Sequence, residues 1–321
     1  MAVSPIGPEK GDIYVTNYIS GTVSVITPTN NTVITTITLP NGTQSYPVGV
    51  AVQSVAGGTA GDIYVTAGLD NGVVYVISPS TNTVIATIPV GNEPQGIAVS
   101  AGGYNAGNGN IYVTDLNAGT GNAQLQIITP ANNTVTSTID LGSAGGPESG
   151  VAVVPAGAYK GDIYVTNQNI DAVSVINPGN NDIIANIPVG ASPTDVAVDA
   201  TGTTVYVTTS ATGSNDAGSL SVISTSTNLV TDTINNIGYR PDGVAVSPTG
   251  PYAGDIYVAA LPASGDYQNG EVLVIDPALL TVSNTIAVGA DPQGLAVSPA
   301  GNYAGEIYVA NSAAYTVSVI S

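Results

Sequence analysis

A proline-containing turn recurs six times along the chain, and five of its copies carry an acidic residue. The acids are Glu93, Glu148, Asp195, Asp242 and Asp291. Carboxylate oxygens that converge in a concave site are the ligands that calcium and other hard cations prefer. We therefore predict a ligand site for calcium or a small polar molecule here, with Glu93, Glu148, Asp195 and Asp291 as the metal ligands. The alternative is a solvated acidic rim that binds nothing.

Arg240 is the only arginine of the chain and lies in the fifth of these turns. We expect its guanidinium group to pair with Asp242 or Asp291, and the alternative is a contact with an anionic ligand. Carboxylates that converge without a cation between them raise one another's pKa. Arg240 and Asp242 therefore join the predicted ligand site.

The composition removes most catalytic chemistry. The chain contains no Cys, His, Trp or Phe. A Ser-His triad, a Cys-His pair and a zinc site built from imidazole or thiolate are therefore excluded. We predict a protein that is not an enzyme and requires no cofactor, with a carboxylate-dependent hydrolase or lyase as the enzymatic alternative.

The charge balance is strongly acidic but sparse. Three basic residues face 22 acidic ones, for a net charge of −19, yet only 8% of the residues are charged. The net charge argues against nucleic acid and anionic membranes as partners. Below about pH 3 to 4 the carboxylates are protonated and little charge remains to drive unfolding. The sequence therefore predicts acid tolerance, and the alternative is a polar surface selected for resistance to proteases.

The acidic turns belong to a repeat that spans the whole chain. Its tyrosine recurs at intervals of 42 to 52 residues, as Tyr14, Tyr64, Tyr112, Tyr164, Tyr206, Tyr257 and Tyr308. Each period holds four short segments rich in Val, Ile, Thr and Tyr, separated by Gly, Pro, Asn and Asp. Four strands in seven units predict an all-β fold, a seven-bladed β-propeller with four-stranded blades, and a stacked β-solenoid is the alternative.

The predicted propeller is one domain over residues 1–321. Its blades cover roughly residues 1–45, 46–92, 93–146, 147–191, 192–239, 240–290 and 291–321. We expect the loops that enter the inner strands and the loops between second and third strands to share one face. Three of the latter are long, at residues 116–123, 210–219 and 261–270, and length variation of this kind often maps to a binding face.

The last blade has no fourth apolar segment, so we predict that it lacks its outer strand. This leaves an open edge along Tyr315–Ser321, and open edges pair with other chains. Three explanations remain: a three-stranded blade, a chain that is a fragment of a longer protein, or a strand supplied by a neighbouring molecule. The last of these would give self-association through this edge.

The repeated phrase is Tyr-Val-Thr-Asn at Tyr14 and Tyr164, with variants such as YVTD at Tyr112 and YVAN at Tyr308. Together with NTVIATIPVG and PQGIAVS, it resembles the YVTN-type β-propeller repeat of archaeal and bacterial surface-layer and other secreted proteins. The resemblance implies a propeller and a cell-surface setting, and it brings no catalytic residue. It also implies that the Tyr and Thr of the motif are packing residues of the second strand. Streptogramin-inactivating lyases carry similar repeats but depend on His, which this chain lacks.

These observations predict a structural or interaction module, extracellular or on the cell surface, whose partners are other surface proteins or glycans. The chain has no signal peptide and no apolar stretch of spanning length, so we expect no direct membrane insertion and a targeting segment outside this chain. Three Asn-X-Thr sequences are candidate glycosylation sites. They begin at Asn30, Asn41 and Asn132.

Overall fold

Strands make up almost all of the regular structure. The computed structural model describes residues 1–7, 9–55, 59–101, 109–117, 119–144, 150–210, 217–262, 267–299 and 301–321. The helix within these ranges is a single 3-10 turn at Gly42–Gln44, and none in the described part has the length and hydropathy needed to cross a bilayer.

The strands of the first four sheets follow in chain order. Sheet 1 consists of β1 (Ala2–Val3), β2 (Ile13–Asn17), β3 (Thr22–Thr27) and β4 (Thr32–Thr38), and sheet 2 of β5 (Val50–Val52), β6 (Ile63–Ala67), β7 (Val73–Ser78) and β8 (Thr83–Pro89). Sheet 3 consists of β9 (Ile97–Val99), β10 (Ile111–Leu116), β11 (Asn122–Thr129) and β12 (Thr134–Ala144), and sheet 4 of β13 (Val151–Val153), β14 (Ile163–Asn167), β15 (Ala172–Asn177) and β16 (Asp182–Pro188).

Three further sheets complete the chain. Sheet 5 consists of β17 (Pro193–Val198), β18 (Thr204–Thr209), β19 (Ala217–Ser224) and β20 (Leu229–Tyr239). Sheet 6 consists of β21 (Val244–Val246), β22 (Ile256–Ala260), β23 (Gly270–Asp276) and β24 (Thr281–Val288), and sheet 7 of β25 (Pro292–Val297), β26 (Ile307–Asn311) and β27 (Thr316–Ile320). The fold is a seven-bladed β-propeller with antiparallel blades, and both the predicted fold class and the missing outer strand of the last blade are confirmed.

The residues pack in two compact units. The first comprises Met1–Val153, Gly161–Ile163 and Asn177–Asp182, and the second comprises Val154–Lys160, Tyr164–Ile176 and Ile183–Ser321. Each unit has its own apolar clusters. Tyr14, Val65 and Ile77 belong to a cluster of the first unit, and Val244 and Leu273 to one of the second.

The second strand is the most buried strand in most of the sheets. All five residues are buried in β6, β14 and β22, because both faces of this strand are covered. The continuous apolar run Ile-Tyr-Val therefore suits it better than an alternating pattern would. The fourth strands β8 and β16, in contrast, alternate between exposed and partly buried residues until a buried isoleucine near the end.

A β-bulge recurs where the third and fourth strands pair. The register shifts lie at Val25/Ile26, Val76/Ile77, Ile127/Ile128, Val222/Ile223 and Val274/Ile275. A bulge bends the strand and increases its twist. The repeated bulge therefore gives the outer strands of these blades a common curvature.

The threonine of the repeated motif joins neighbouring sheets. In the first unit, Thr66 Oγ1 accepts the Gly49 amide at 2.7 Å and donates to the Gln95 carbonyl, which precedes the next inner strand, at 2.9 Å. In the same way, Thr16 Oγ1 donates to the Val48 carbonyl at 2.7 Å. In the second unit, Thr208 Oγ1 donates to the Asp242 carbonyl at 2.8 Å. The motif threonine is thus a hydrogen-bonding residue as well as a packing residue.

Sheet 6 has an alanine, Ala259, at this position, and its link to the next sheet is made by the backbone. The Gly243 amide donates to the Gln293 carbonyl at 3.0 Å. A Cβ atom on Gly243 would lie 2.3 Å from that carbonyl oxygen, and one on Gly49 would lie 2.4 Å from the Gln95 oxygen. Glycine is therefore required at these inner strands because neighbouring backbones approach closely.

The motif tyrosine makes a second link between neighbouring sheets. The Tyr164 hydroxyl donates to Asn228 Oδ1 at 2.6 Å within the second unit. Within the first unit, the Tyr64 hydroxyl donates more weakly to Asn133 Oδ1 at 3.4 Å. Both asparagines stand in the left-handed conformation of the turn between third and fourth strands, which asparagine adopts readily. Tyr64 and Tyr164 therefore pack their rings inside one sheet while their hydroxyls reach the next, whereas the Tyr308 hydroxyl donates to Glu306 Oε2 at 2.8 Å in its own sheet.

We expect Thr66→Val to lower the free energy of unfolding by about 1–3 kcal/mol, because the isosteric valine leaves the Gly49 amide and the Gln95 carbonyl without their shared partner. Urea unfolding followed by circular dichroism measures this difference. Thr36→Val, on the exposed face of β4, is the matched control and should change the stability by less than about 0.5 kcal/mol. Equal effects of the two substitutions would contradict the proposed link.

Candidate functional site

The proline-containing turns share an unusual backbone conformation. The residue before the proline has a positive φ angle in Tyr46, Glu93, Ser192, Arg240 and Asp291, with values from 44° to 52°. This left-handed region is costly for residues other than Gly, Asn and Asp. Tyr, Glu and Arg have no intrinsic preference for it, so the turn does not explain why these side chains stand there.

Of the two predicted site residues in the first half of the chain, the structure describes Glu93 and not Glu148. Glu93 is partly buried in the first unit, and its amide donates to the Leu69 carbonyl at 2.7 Å. This bond joins the turn before an inner strand to the loop between β6 and β7. Glu148 lies outside the described residues.

Asp195 stands where all five of the other turns have the glycine that precedes the inner strand. Its carboxylate accepts the Val196 amide at 2.8 Å and the Val244 amide at 3.0 Å. Val244 belongs to the inner strand of the next sheet, so the carboxylate bridges two inner strands. Burial raises the pKa of Asp195 to about 6, although these two hydrogen bonds act in the opposite direction. In the structure, Asp195 therefore links two sheets of the second unit.

Asp242 and Asp291 lie in the next two turns and interact electrostatically. Burial raises the pKa of Asp242 to about 6, the Asp291 charge raises it further, and the positive charge of Arg240 lowers it. Asp242 in turn raises the pKa of Asp195. The Asp291 carboxylate accepts the Ser312 hydroxyl at 2.5 Å. In the second unit, Asp242 thus lies within electrostatic range of Asp195, Arg240 and Asp291.

Arg240 interacts with an aromatic pair. Its guanidinium carbon lies 5.7 Å from the ring centroid of Tyr267, and the Tyr239 and Tyr267 rings meet edge to face at 6.3 Å. Hydrogen bonds from the Tyr239 hydroxyl and from Arg240 lower the pKa of Tyr267. Tyr267 lies in the long loop between β22 and β23, so this loop and the turn that carries Arg240 meet.

The arrangement suits binding of a cation or a cationic ligand better than catalysis. Two of its acids titrate near pH 6, so both are charged at neutral pH and partly protonated in weak acid. Within the described ranges, no group of three acidic residues is placed to hold a metal ion. The metal set predicted from the sequence therefore remains a prediction.

Asp115 is a functional candidate that the sequence reasoning missed. It is fully buried, and its Oδ2 accepts the Gly91 amide at 2.8 Å and the Gln126 side-chain amide at 2.7 Å. Burial raises the pKa of Asp115 to about 7, against these hydrogen bonds and one with Gln124. A buried acid that titrates near neutrality makes stability depend on pH.

The partners of Asp115 show how the sequence could have revealed it. Asp115 occupies the last position of the motif, where Asn17 donates its amide to the hydroxyls of Thr22 and Ser24. In sheet 3 the acceptor is on the second strand and the donating amides are on the third. The sequence signal is the change from Asn to Asp at the last motif position, together with Gln124 and Gln126 at alternate positions of the third strand.

The three candidate glycosylation sites lie at exposed turns. Asn30 follows β3, Asn41 precedes the 3-10 turn and Asn132 follows β11, and all three are exposed. Thr32 Oγ1 donates to Asn30 Oδ1 at 2.6 Å within the first of these sequences. Their exposure makes the sites accessible, and their use remains a prediction.

Comparison with known proteins identifies the fold and not a family. No protein-family model matches the chain, and no curated protein matches it. Hydrazine synthase of Kuenenia stuttgartiensis matches with a TM-score of 0.71 at 19% identity, over 99% of this chain and 94% of that one. A functionally unknown protein from Desulfotomaculum acetoxidans matches with a TM-score of 0.68 at 14% identity, over 96% and 91%. At these identities the likeness concerns the propeller fold alone.

Every described carboxyl group with a shifted pKa is shifted upward. The groups are Asp12, Asp62, Asp115, Asp162, Asp195, Asp242, Asp255 and Glu271, and burial is the largest cause in each. An acid whose pKa is higher in the folded state binds its proton more tightly when folded. Its contribution to stability is therefore present at low pH and lost as the pH rises through the folded pKa.

We expect the free energy of unfolding to rise as the pH falls from about 8 to about 4, because Asp115, Asp195 and Asp242 take up protons between the folded and unfolded pKa values. Urea unfolding at a series of pH values measures this profile. Asp115→Asn should remove the part of the rise near pH 7, whereas Asp232→Asn, at an exposed position of β20, should leave the profile unchanged. A stability that falls steadily with acidification would contradict the expectation.

Proposed function

We propose that the chain is a non-catalytic β-propeller of the cell surface or the extracellular space, which serves as a structural and interaction module of a surface-layer type. The YVTN-like motifs support this proposal, as do the sparse charge and the lack of His and Cys. The observation that carries it is the surface of the outer strands.

The outer strands expose apolar side chains in several blades. Val33, Ile34, Ile85, Ile184, Leu229 and Val282 are between 37% and 63% exposed, and each lies on the fourth strand of its sheet. Single exposed apolar residues are common on soluble proteins and need no explanation. Their recurrence on the same strand, on a surface with few charges, is typical of a face that packs against other molecules.

The open edge of sheet 7 is a second contact surface. β27 pairs with β26 on one side only, and the adjacent Tyr315 is 82% exposed. An unpaired strand edge presents backbone donors and acceptors that another strand can use. We therefore include self-association through Tyr315–Ser321 in the proposal.

The hydrogen bonds of Asp195 weigh against the enzymatic alternative. A carboxylate-dependent hydrolase or lyase needs a carboxyl group free to move a proton or attack a substrate. Both oxygens of Asp195 already accept backbone amides. Of these acids, Asp242 is then the remaining one with a pKa near 6. A single carboxyl group does not provide the pair of carboxyl groups that this chemistry requires.

We expect the protein to assemble into larger species as its concentration rises, because the outer strands offer recurrent apolar surface that carries few charges. Sedimentation velocity and negative-stain electron microscopy measure the assembly. The double variant Ile34→Lys with Ile85→Glu, which keeps the net charge, should remain monomeric. The matched control Thr36→Lys with Thr87→Glu changes exposed polar positions of the same strands and should assemble like the wild type. A wild-type protein that stays monomeric at high concentration would contradict the assembly role.

Cation binding at the acidic turns is the second candidate function, favoured by the acids Asp242 and Asp291, which repel one another electrostatically. On this hypothesis, millimolar calcium raises the melting temperature relative to a chelator, since a ligand at about 100 times its Kd stabilises the native state by about 2.7 kcal/mol. The Asp242→Asn, Asp291→Asn double variant should lose the rise, and Asp232→Asn should keep it. Identical wild-type melting curves in calcium and chelator would leave these turns as a solvated rim.

A further inference from the structure

An exposed aromatic pair in the second unit already holds a cation. Tyr239 ends β20, Tyr267 lies in the loop before β23, and the two rings meet edge to face at 6.3 Å. The guanidinium carbon of Arg240 lies 5.7 Å from the ring centroid of Tyr267, and 46% of the Tyr267 surface stays exposed. A tyrosine ring attracts cations through the negative potential of its face. This surface is therefore suited to positively charged groups.

Asp242, next to Arg240 in the same turn, provides the observation that points to a ligand. The carboxylate of Asp195, in the preceding turn, accepts two backbone amides. Within the described ranges, in contrast, no hydrogen bond reaches the carboxylate of Asp242. A carboxylate that is partly buried without a donor is costly. Its oxygens are not among the sealed polar atoms of the described chain, so an N–H group of a ligand can reach them and supply the missing donor.

The charges around Asp242 favour a cationic ligand. Asp291 lies in the next turn, and its negative charge raises the pKa of Asp242, while the charge of Asp242 raises the pKa of Asp195. Three carboxyl groups thus stand near one guanidinium group, in a chain with a net charge of −19. A positive ligand is attracted to such a surface and an acidic one is repelled.

The ligand that fits best is an organic ammonium group rather than a bare metal ion. In the part of the chain that the structure describes, no group of three acids is placed to hold a metal. An ammonium group needs fewer acids, because its charge is met by one carboxylate and its other N–H groups can donate to water or to a second oxygen. Asp242 is placed to be that carboxylate.

The other groups of the cluster require hydroxyl groups and an apolar face on the same ligand. Arg240 has five N–H donors, and its hydrogen bond to Tyr267 leaves donors for oxygen atoms of a ligand. The ring of Tyr267 offers an apolar face for C–H groups. A hexosamine ring combines an ammonium group, hydroxyl groups and a face of C–H groups in one molecule, so it matches all three surfaces.

We propose that this cluster binds one hexosamine unit through its free ammonium group. The ammonium group pairs with Asp242, hydroxyl oxygens accept from Arg240, and the sugar ring packs against Tyr267. The proposal rests on the interaction role of the proposed function and names the chemistry of the partner. It uses none of the outer strands, so failure of sugar binding and failure of assembly are separate results from separate experiments.

The test is saturation-transfer NMR of the full chain at pH 7 with probes that differ in charge on the same ring. Glucosamine and galactosamine are compared with their N-acetylated forms and with glucose and galactose. We expect at least one amino sugar to bind, and its acetylated and neutral forms to bind at least about tenfold more weakly, because they lack the charge that pairs with a carboxylate. The buffer contains a chelator, so that a calcium ion at these turns does not compete.

The methyl glycoside of the amino sugar that binds distinguishes a chain-linked unit from the free monosaccharide. Equal affinity for the two indicates a unit of a glycan, and binding of the free sugar alone indicates a small-molecule ligand of the same chemistry. Saturation of neither amino sugar, or equal binding of the charged and the acetylated forms, would overturn the proposal.

Matched variants separate this site from general attraction to an acidic protein. Asp242→Asn should weaken binding of the amino sugar about tenfold, and Tyr267→Ala should weaken it about threefold or more. Asp232→Asn removes the same charge from an exposed position of β20, and Tyr252→Ala removes a ring that is 55% exposed outside the cluster. Both controls should keep the affinity within about twofold, and melting curves check that all four variants fold. An equal loss in Asp232→Asn and Asp242→Asn would refute a specific site.

Discussion

The close approach of neighbouring inner strands is the constraint on which each unit of this structure depends. Thr66 and Thr208 place one hydroxyl where it accepts an amide of its own sheet and donates to a carbonyl of the next. The approach is so close that Gly49 and Gly243 could not carry a side chain. Where the threonine is missing, the backbone makes the link directly, and where the glycine is missing, the carboxylate of Asp195 fills the position and accepts the neighbouring amide. A threonine hydroxyl, a backbone amide or an aspartate carboxylate thus makes the hydrogen bond that joins neighbouring inner strands.

The electrostatics of the chain follow from its scarcity of bases. With three basic residues in the whole sequence, acidic side chains have few cations to pair with. Their stabilising partners are backbone amides, as for Asp195, or side-chain amides, as for Asp115. Such partners compensate only partly for burial, so the pKa values rise. Protonation then relieves the cost of burying these groups. The same scarcity of bases leaves little positive charge on the chain once its carboxylates are protonated.

Variation in length between repeats is concentrated in the loops, although Asp115 and Asp195 lie on strands. The strands repeat with small changes because each must fill the same space between covered faces. The eleven-residue connection between β4 and β5, and the long loop that brings Tyr267 to Arg240, differ in length from the corresponding segments of other repeats. A rigid repeated scaffold with divergent loops is the usual arrangement for recognition.

The sequence by itself determined the class of fold, because the period, the four apolar segments and the turn residues are local signals that agree with one another in every repeat. The roles of individual polar residues were decided by the tertiary structure. Asp195 and Asp242 are both acids of the proline-containing turns and look equivalent in the sequence. Asp195 lies two residues after its proline and Asp242 lies one residue after its own, and this difference of one position makes Asp195 a bridge between strands. The partners of Asp115 depend on contacts between segments up to 24 residues apart, and no local pattern specifies those distances. Hydrogen bonding and burial depend on the positions of distant atoms, whereas strand formation depends on neighbours in the chain, and this difference explains why the fold was predictable and the sites were not.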